Sequence, residues 1–252
     1  MKILWFSVTP SMYAAYNNGH NGGGWISSLE RLVRTVPEID LGIAFEYPAC
    51  CFKENYEGVS YYPINIWNSL NRKCIKYFSL VKAEEKYLIP RCLKIIEDFK
   101  PDIIHGQHIW ILSSIASEFN IPLVVTAHGT DIMGYQKEEK FRSYADRVVE
   151  KCKKIITISK DNDKLVLDTF KDVNGKNIII KNGYDPEVFY RKEYKKEDVL
   201  KSLGINKNYE KIVSFVGKLT NFKGIDILLK ACKIYEDENT LTVIAGNGEL
   251  FE

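Results

Sequence analysis

Short apolar runs alternate with segments of helical periodicity along most of this chain, and that alternation restricts its fold more than any other feature. The runs KILWFSV (2–8), LGIAFEY (41–47), DIIHG (102–106), PLVVTAH (122–128), KIITIS (154–159) and NIIIKNG (177–183) read as buried strands. Between several of them, apolar residues recur at helical spacing over Trp25–Val36, Val81–Phe99, Ile109–Phe119, Lys137–Cys152 and Lys160–Phe170. Strands that are apolar throughout, rather than at every second residue, are buried on both faces. They predict a parallel sheet with helices on each side. The expected fold class is therefore α/β, with a complete doubly wound, Rossmann-like first domain.

After residue 181 the pattern pauses and restarts. NGYDPEVFYRKEYKKEDVLKSLGINKNYE (182–210) is charged and turn-rich, with one short helix expected at Glu197–Leu203. KIVSFVG (211–217), GIDILLKACKIYE (224–236) and TLTVIAG (240–246) then read as strand, helix and strand. The expected organisation is a domain at 1–190, a linker at 191–210 and the first βαβ unit of a second Rossmann-like domain at 211–252. Two parallel strands and one helix cannot cover both sheet faces, so part of this unit's apolar surface should be exposed.

Charge and cysteine usage exclude several classes. A net charge of +2 gives no reason to expect nucleic acid as a partner. The six cysteines lack C-x-x-C spacing and disulfide-scaffold density, so they read as reduced thiols of a cytoplasmic protein. The opening MKILWFSVTP has too short an apolar run for a signal peptide. No run reaches the ~18 apolar residues of a membrane span. The stretch Asn71–Leu88 interleaves Arg72, Lys73, Lys76 and Lys82 with apolar residues. It reads either as a core-facing helix with a charged outer face or as a peripheral contact with an anionic membrane surface.

Ligands of open α/β sheets bind beyond the carboxyl ends of the strands, which selects a few residues here. The run Gly22–Gly24 stands just before a helix, where unpaired N–H groups and the dipole suit a phosphate. It is not a dinucleotide fingerprint: Ser27 occupies the third glycine position, and residues 9–21 separate the run from the first strand. His128 ends a strand beside Gly129, and its imidazole can exchange hydrogen bonds with a sugar hydroxyl or cap the strand end. Asp131 reads as a helix cap or loop residue rather than an acid. His105 and His108 share one short turn, without the spacing of a metal site. Asp161 and Asp163 form a D-x-D pair just after Ser159, which reads as a helix entrance. VGKLTNFKG (216–224) departs from a Walker A loop at Phe222 and Gly224. Its Lys218 and Lys223 stand near a helix start, either as solvated surface lysines or as a clamp for a pyrophosphate.

Taken in order, GGGWISSLERL (22–32), PDIIHGQH (101–108), TAHGTD (126–131), ITISK (156–160), NGYDPEVF (182–189), VGKLTNFKGIDILLKA (216–231) and AGNGE (245–249) resemble the retaining GT-B glycosyltransferases of family four, which build bacterial polysaccharides and glycolipids. The resemblance runs nearly end to end and is most specific in NGYDPEVF and the KG-x-D-x-L-L-x-A pattern that follows it. It implies a metal-independent transfer of sugar from a UDP- or GDP-sugar, with no cofactor, to a glycan or lipid-linked acceptor. Gly23 and Gly24 would line the donor phosphate, His128 would contact the donor sugar, and Lys218 and Lys223 would hold the pyrophosphate. Asn182, Gly183 and Asp185 would shape the turn that leaves the first domain. Lys218 stands where the family usually has Arg, a point charge in place of a bidentate fork. The family's paired-glutamate motif would fall beyond Glu252, which predicts that the 252-residue chain by itself does not catalyse transfer. Two other readings are a nucleotide-sugar epimerase of the same architecture and a non-catalytic binding module.

Overall fold

A computed structural model describes residues 1–13, 24–47, 53–65, 80–137, 139–171, 173, 175–235 and 237–251, with the backbone alone at 80–84 and 140. The chain divides into two compact units, Met1–Phe189 and Tyr190–Glu252.

In the first unit, β1 (Lys2–Ser7), α1 (Gly24–Arg34) and β2 (Asp40–Tyr47) are followed by β3 (Glu54–Tyr56) and β4 (Val59–Asn65). Next come α2 (Leu80–Phe99), β5 (Ile103–Gly106), α3 (Ile111–Ala116), β6 (Leu123–Ala127), α4 (Thr130–Lys137), α5 (Glu139–Lys151), β7 (Lys154–Thr157), α6 (Lys160–Thr169) and β8 (Asn177–Ile179). The strands form one sheet in the order β3-β4-β2-β1-β5-β6-β7-β8, parallel except for the β3–β4 pair. This is the mixed α/β, mainly parallel architecture that the apolar runs predict.

Burial on both faces follows the two-residue period of each strand. Leu4 and Phe6 of β1 and Ala44 of β2 enter one core with Leu88, Cys92 and Phe99 of α2, Leu112 and Ile115 of α3, and Val148 of α5. Trp5 of β1 and Leu41, Ile43 and Phe45 of β2 enter another with Ile26 of α1 and with Tyr13 and Tyr61. Each large apolar side chain so enclosed stabilises the fold by roughly 1.5–3 kcal/mol.

Three departures from the expected elements have local causes. The β3–β4 hairpin was not foreseen. It turns on Glu57 (φ 49°) and Gly58 (φ 85°), the doubly positive pair of a two-residue hairpin turn. Pro63, which has no N–H to donate, falls beyond the part of β4 that β3 covers. The helix expected at Lys137–Cys152 is α5, and an additional helix, α4, precedes it over Thr130–Lys137. The basic stretch from Asn71 lies outside the described residues up to 79 and enters α2 from Leu80, a helix whose Leu88, Cys92 and Phe99 are core residues. Among the described residues no helix is long and apolar enough to cross a membrane.

A buried carboxylate anchors α1. Glu30 accepts from the hydroxyls of Ser11 and Tyr61, from Met12 N at 3.1 Å and from the Arg34 guanidinium one turn on. Every partner is a donor, which is what makes complete burial of this charge tolerable.

The second unit contains α7 (Lys196–Ser202), β9 (Lys211–Val216), a 3-10 turn at Asn221–Lys223, α8 (Ile225–Tyr235) and β10 (Thr240–Ala245). β9 and β10 pair in parallel with each other. Their pairing continues past the strand ends, where Gly217 N donates to Ala245 O and Leu219 N to Asn247 O. The two connections approach so closely that a Cβ at Gly246 would lie 1.9 Å from Gly217 O, and only glycine fits. Val216, Ile227 and Ile234 are exposed, as expected for a βαβ unit with uncovered faces.

Candidate functional site

The carboxyl ends of β1, β5 and β6 bring together residues far apart in sequence. Beyond β5 the chain turns at Gly106, where a Cβ would lie 2.0 Å from Ser113 Oγ. That hydroxyl donates to His108 O at 2.5 Å, so the close approach fixes the backbone carrying His108. Gln107 N donates to Phe6 O at 2.8 Å, tying the same turn to the end of β1.

Asp131, in the first turn of α4, joins this turn to the next one. Its carboxylate is 1% exposed and accepts from Ile109 N at 3.0 Å, His128 N at 3.1 Å and Ile132 N at 3.1 Å. Burial pushes its carboxyl up, against the opposing pull of those N–H groups. From sequence alone Asp131 reads as a helix cap or loop residue. The structure makes it a helical residue whose side chain staples two loops, with every accepting direction used by the backbone.

The three histidines of this edge separate into two kinds. His105, inside β5, is fully partnered: Gln107 Nε2 lies 3.4 Å from its Nδ1, and its Nε2 lies 2.8 Å from Thr126 Oγ1. An amide donor facing Nδ1 puts the proton on Nε2, which then donates to Thr126. Burial pushes this imidazole down to about 4, so it is neutral at physiological pH. His108 and His128 differ. His108 Nδ1 and His128 Nε2 are buried and have no hydrogen-bond partner among the described residues. Burial pushes His108 down to about 4 and also lowers His128, with His108 adding to the fall and Asp131 opposing it.

Two tryptophans complete the cluster. Trp25 of α1 lies against His128 with ring centroids 3.9 Å apart. His128 lies 4.8 Å from His108, and His108 stacks on Trp110 at 5.0 Å with an interplanar angle of 16°. Trp110 Nε1 also lacks a partner among the described residues. Trp25 falls within GGGWISSLERL, one of the segments that carry the resemblance, whereas Trp110 belongs to none of them and is signalled only by its position just after a strand end.

The other expected site residues are distributed as follows. Gly23 lies outside the described residues, and Gly24 is the first residue of α1. Lys218 and Lys223 are exposed on the connection between β9 and α8, and no ion pair holds either among the described residues. Asp161 and Asp163 occupy the first turn of α6, which Ser159 caps by accepting from Asn162 N at 3.0 Å. Asp163 is further engaged by Thr157 Oγ1 at 2.8 Å and Asn177 Nδ2 at 2.9 Å, a structural role. Asp185 accepts from Arg31 of α1 at 2.7 Å and from Glu187 N at 3.0 Å. The guanidinium holds its carboxyl below the usual range.

Residues 76–188 match the family described as Glycosyltransferase Family 4. The chain is 29% identical over 235 residues to the uncharacterized glycosyltransferase MJ1607 of Methanocaldococcus jannaschii, covering 88% of this chain and 57% of that protein. Among solved structures it is similar to sucrose-phosphate synthase from Thermosynechococcus elongatus, with a TM-score of 0.70 and 14% identity over 97% of this chain and 62% of the other. It is also similar to Anabaena Alr3699/HepE in complex with UDP and glucose, with a TM-score of 0.66 and 16% identity over 99% of this chain and 62% of the other. The chain thus spans about 57–62% of the length of these proteins. Its fold is that of GT-B glycosyltransferases.

Proposed function

We propose that this chain carries acceptor- and donor-side elements of a retaining glycosyltransferase. It would move a sugar from a UDP- or GDP-sugar to a glycan or lipid-linked acceptor in polysaccharide or glycolipid assembly. The observation that supports the reading best is His128: a neutral imidazole at the carboxyl edge of a parallel sheet, with a buried Nε2 that has no partner among the described residues. A sugar hydroxyl supplies the hydrogen bond that this nitrogen lacks.

In the proposed reaction the bond from the anomeric carbon to the nucleotide's terminal phosphate oxygen breaks, the acceptor hydroxyl forms its bond on the same face, and the hydroxyl's proton passes to the departing phosphate oxygen. Negative charge collects on the departing diphosphate. Lys218 and Lys223 neutralise it, in place of a metal, with the N–H groups of the turn before α8 assisting. Gly23 and Gly24 let the chain before α1 approach the donor phosphate without a Cβ in the way. The work takes place on the cytoplasmic side of the inner membrane, where the basic stretch 71–88 gives peripheral contact with anionic lipid. Release of UDP or GDP from a panel of nucleotide sugars tests the reading, on the 252-residue chain and on any longer product of the same reading frame. His128→Ala should cut turnover while leaving the unfolding midpoint near that of the parent. Turnover that is indifferent to His128 would remove the site from the reaction.

A further inference from the structure

The four rings Trp25, His128, His108 and Trp110 form a bent chain with successive centroids 3.9, 4.8 and 5.0 Å apart, Trp25 also lying 6.1 Å from His108. Among the described residues three of their nitrogens are buried without partners: His128 Nε2, His108 Nδ1 and Trp110 Nε1. His108 is 9% exposed. An orphaned buried polar atom is a standing penalty that an apolar ring of the same shape would avoid. Three of them, supplied by two separate loops that Asp131 staples together, point to a ligand that satisfies them together.

The chemistry of the cluster narrows that ligand. Its imidazoles are neutral, and the charge stapling its two loops is the Asp131 carboxylate, so a phosphate gains nothing there. The rings already lie against one another, His108 nearly parallel to Trp110, and so they offer edges rather than a slot for a stacked base. What remains is a neutral group with several adjacent hydroxyls, each able both to donate and to accept. Indole Nε1–H donates only, whereas a neutral imidazole nitrogen takes either role.

We propose that His108 and Trp110 read hydroxyls of a pyranose ring beside His128 and so set which sugar this protein accepts. The inference rests on the glycosyltransferase reading for the identity of its ligand class. The pyranose belongs either to the donor's transferred sugar or to the terminal sugar of the acceptor.

The test uses the 252-residue chain with Trp110→Phe and His108→Phe, which keep a ring and remove the nitrogen. Binding is followed by saturation-transfer NMR with methyl α-glucoside, methyl α-galactoside and methyl α-mannoside, and by titration with UDP, UDP-glucose, GDP and GDP-mannose. Each variant should bind its sugar about three- to tenfold more weakly, the loss of one hydrogen bond. Unfolding midpoints should stay level or rise, because an unpaired nitrogen has gone; a merely structural role would lower them. Weakening confined to the methyl glycosides assigns the acceptor sugar. Weakening of UDP-glucose or GDP-mannose towards the level of the free nucleotide assigns the donor sugar. Parent-like binding by both variants, or no sugar-dependent binding by the parent, overturns the proposal even where UDP or GDP still binds and the transferase reading stands. Glycoside binding that the variants weaken, in a chain that ignores every nucleotide, upholds the subsite and counts against the transferase reading.

Discussion

Replacing Asp131 should unfasten the site and destabilise the first unit by a calculable amount. Its carboxylate takes N–H groups from Ile109 at 3.0 Å, His128 at 3.1 Å and Ile132 at 3.1 Å while only 1% exposed. A hydrogen bond to a charged group is worth about 1.5–3 kcal/mol, and an N–H left unpaired in the interior costs about 1–3 kcal/mol. Asp131→Ala strands the Ile109 and His128 N–H groups together, so a loss of roughly 3–5 kcal/mol is expected. Asp131→Asn keeps one accepting oxygen but turns an NH₂ towards one of the same N–H groups, for roughly 2–3 kcal/mol. All four tryptophans lie in the first unit, so tryptophan fluorescence in urea reports on that unit alone. With a urea dependence of about 2 kcal/mol per molar, the Ala variant should unfold about 1.5–2.5 M earlier and the Asn variant about 1–1.5 M earlier. An Ala midpoint within about 0.3 M of the parent would refute the staple and, with it, the account of how His108 and His128 are brought together.

Acid should weaken the fold through its neutral histidines. His105 and His108 titrate near 4 in the fold and near 6.5 once unfolded. The denatured chain therefore binds protons first, and stability present above pH 6.5 is lost as pH falls towards 4, by about 1.4 kcal/mol per pH unit for each group. Urea midpoints at pH 7.5, 6 and 5 measure this, and His105→Asn should flatten the slope by one group's share. Gly106→Ala should cost about 1–3 kcal/mol by driving a methyl group against Ser113, and Ser113→Ala in the same chain should recover part of it. An uncrowded turn would show neither effect. In a chain that turns over, Lys223→Ala should reduce transfer roughly ten- to a thousandfold, as for loss of a transition-state charge partner. EDTA should leave the parent rate unchanged, and restoration by Mn²⁺ after EDTA would argue for a metal at the leaving group instead.

The sequence alone determined the parallel core, because strands buried on both faces carry continuous apolar runs that no other common architecture requires. It also determined that helix starts and strand ends would bear the polar residues of interest, including His128, and that Ser159 would cap α6. It was silent on the β3–β4 hairpin, where VSYYPIN mixes polar residues and a proline into a strand that β3 flanks for only part of its length. His105 and His108 looked equivalent in one short turn. Only tertiary structure separated them, because the partner that satisfies His105 Nε2 is Thr126 on the neighbouring strand, whereas His108 Nδ1 meets no such group among the described residues. The alignment of Trp25 with His128, and of His108 with Trp110, was equally out of reach. These rings come from α1 and from the loops after β5 and β6, and a buried carboxylate on α4 joins those two loops. Periodicity reports which way a residue faces within its own element. Which residues meet across elements is decided by sheet order, by the tight turn at Gly106 and by the hydrogen bonds of Asp131, none of which is a local property of the chain.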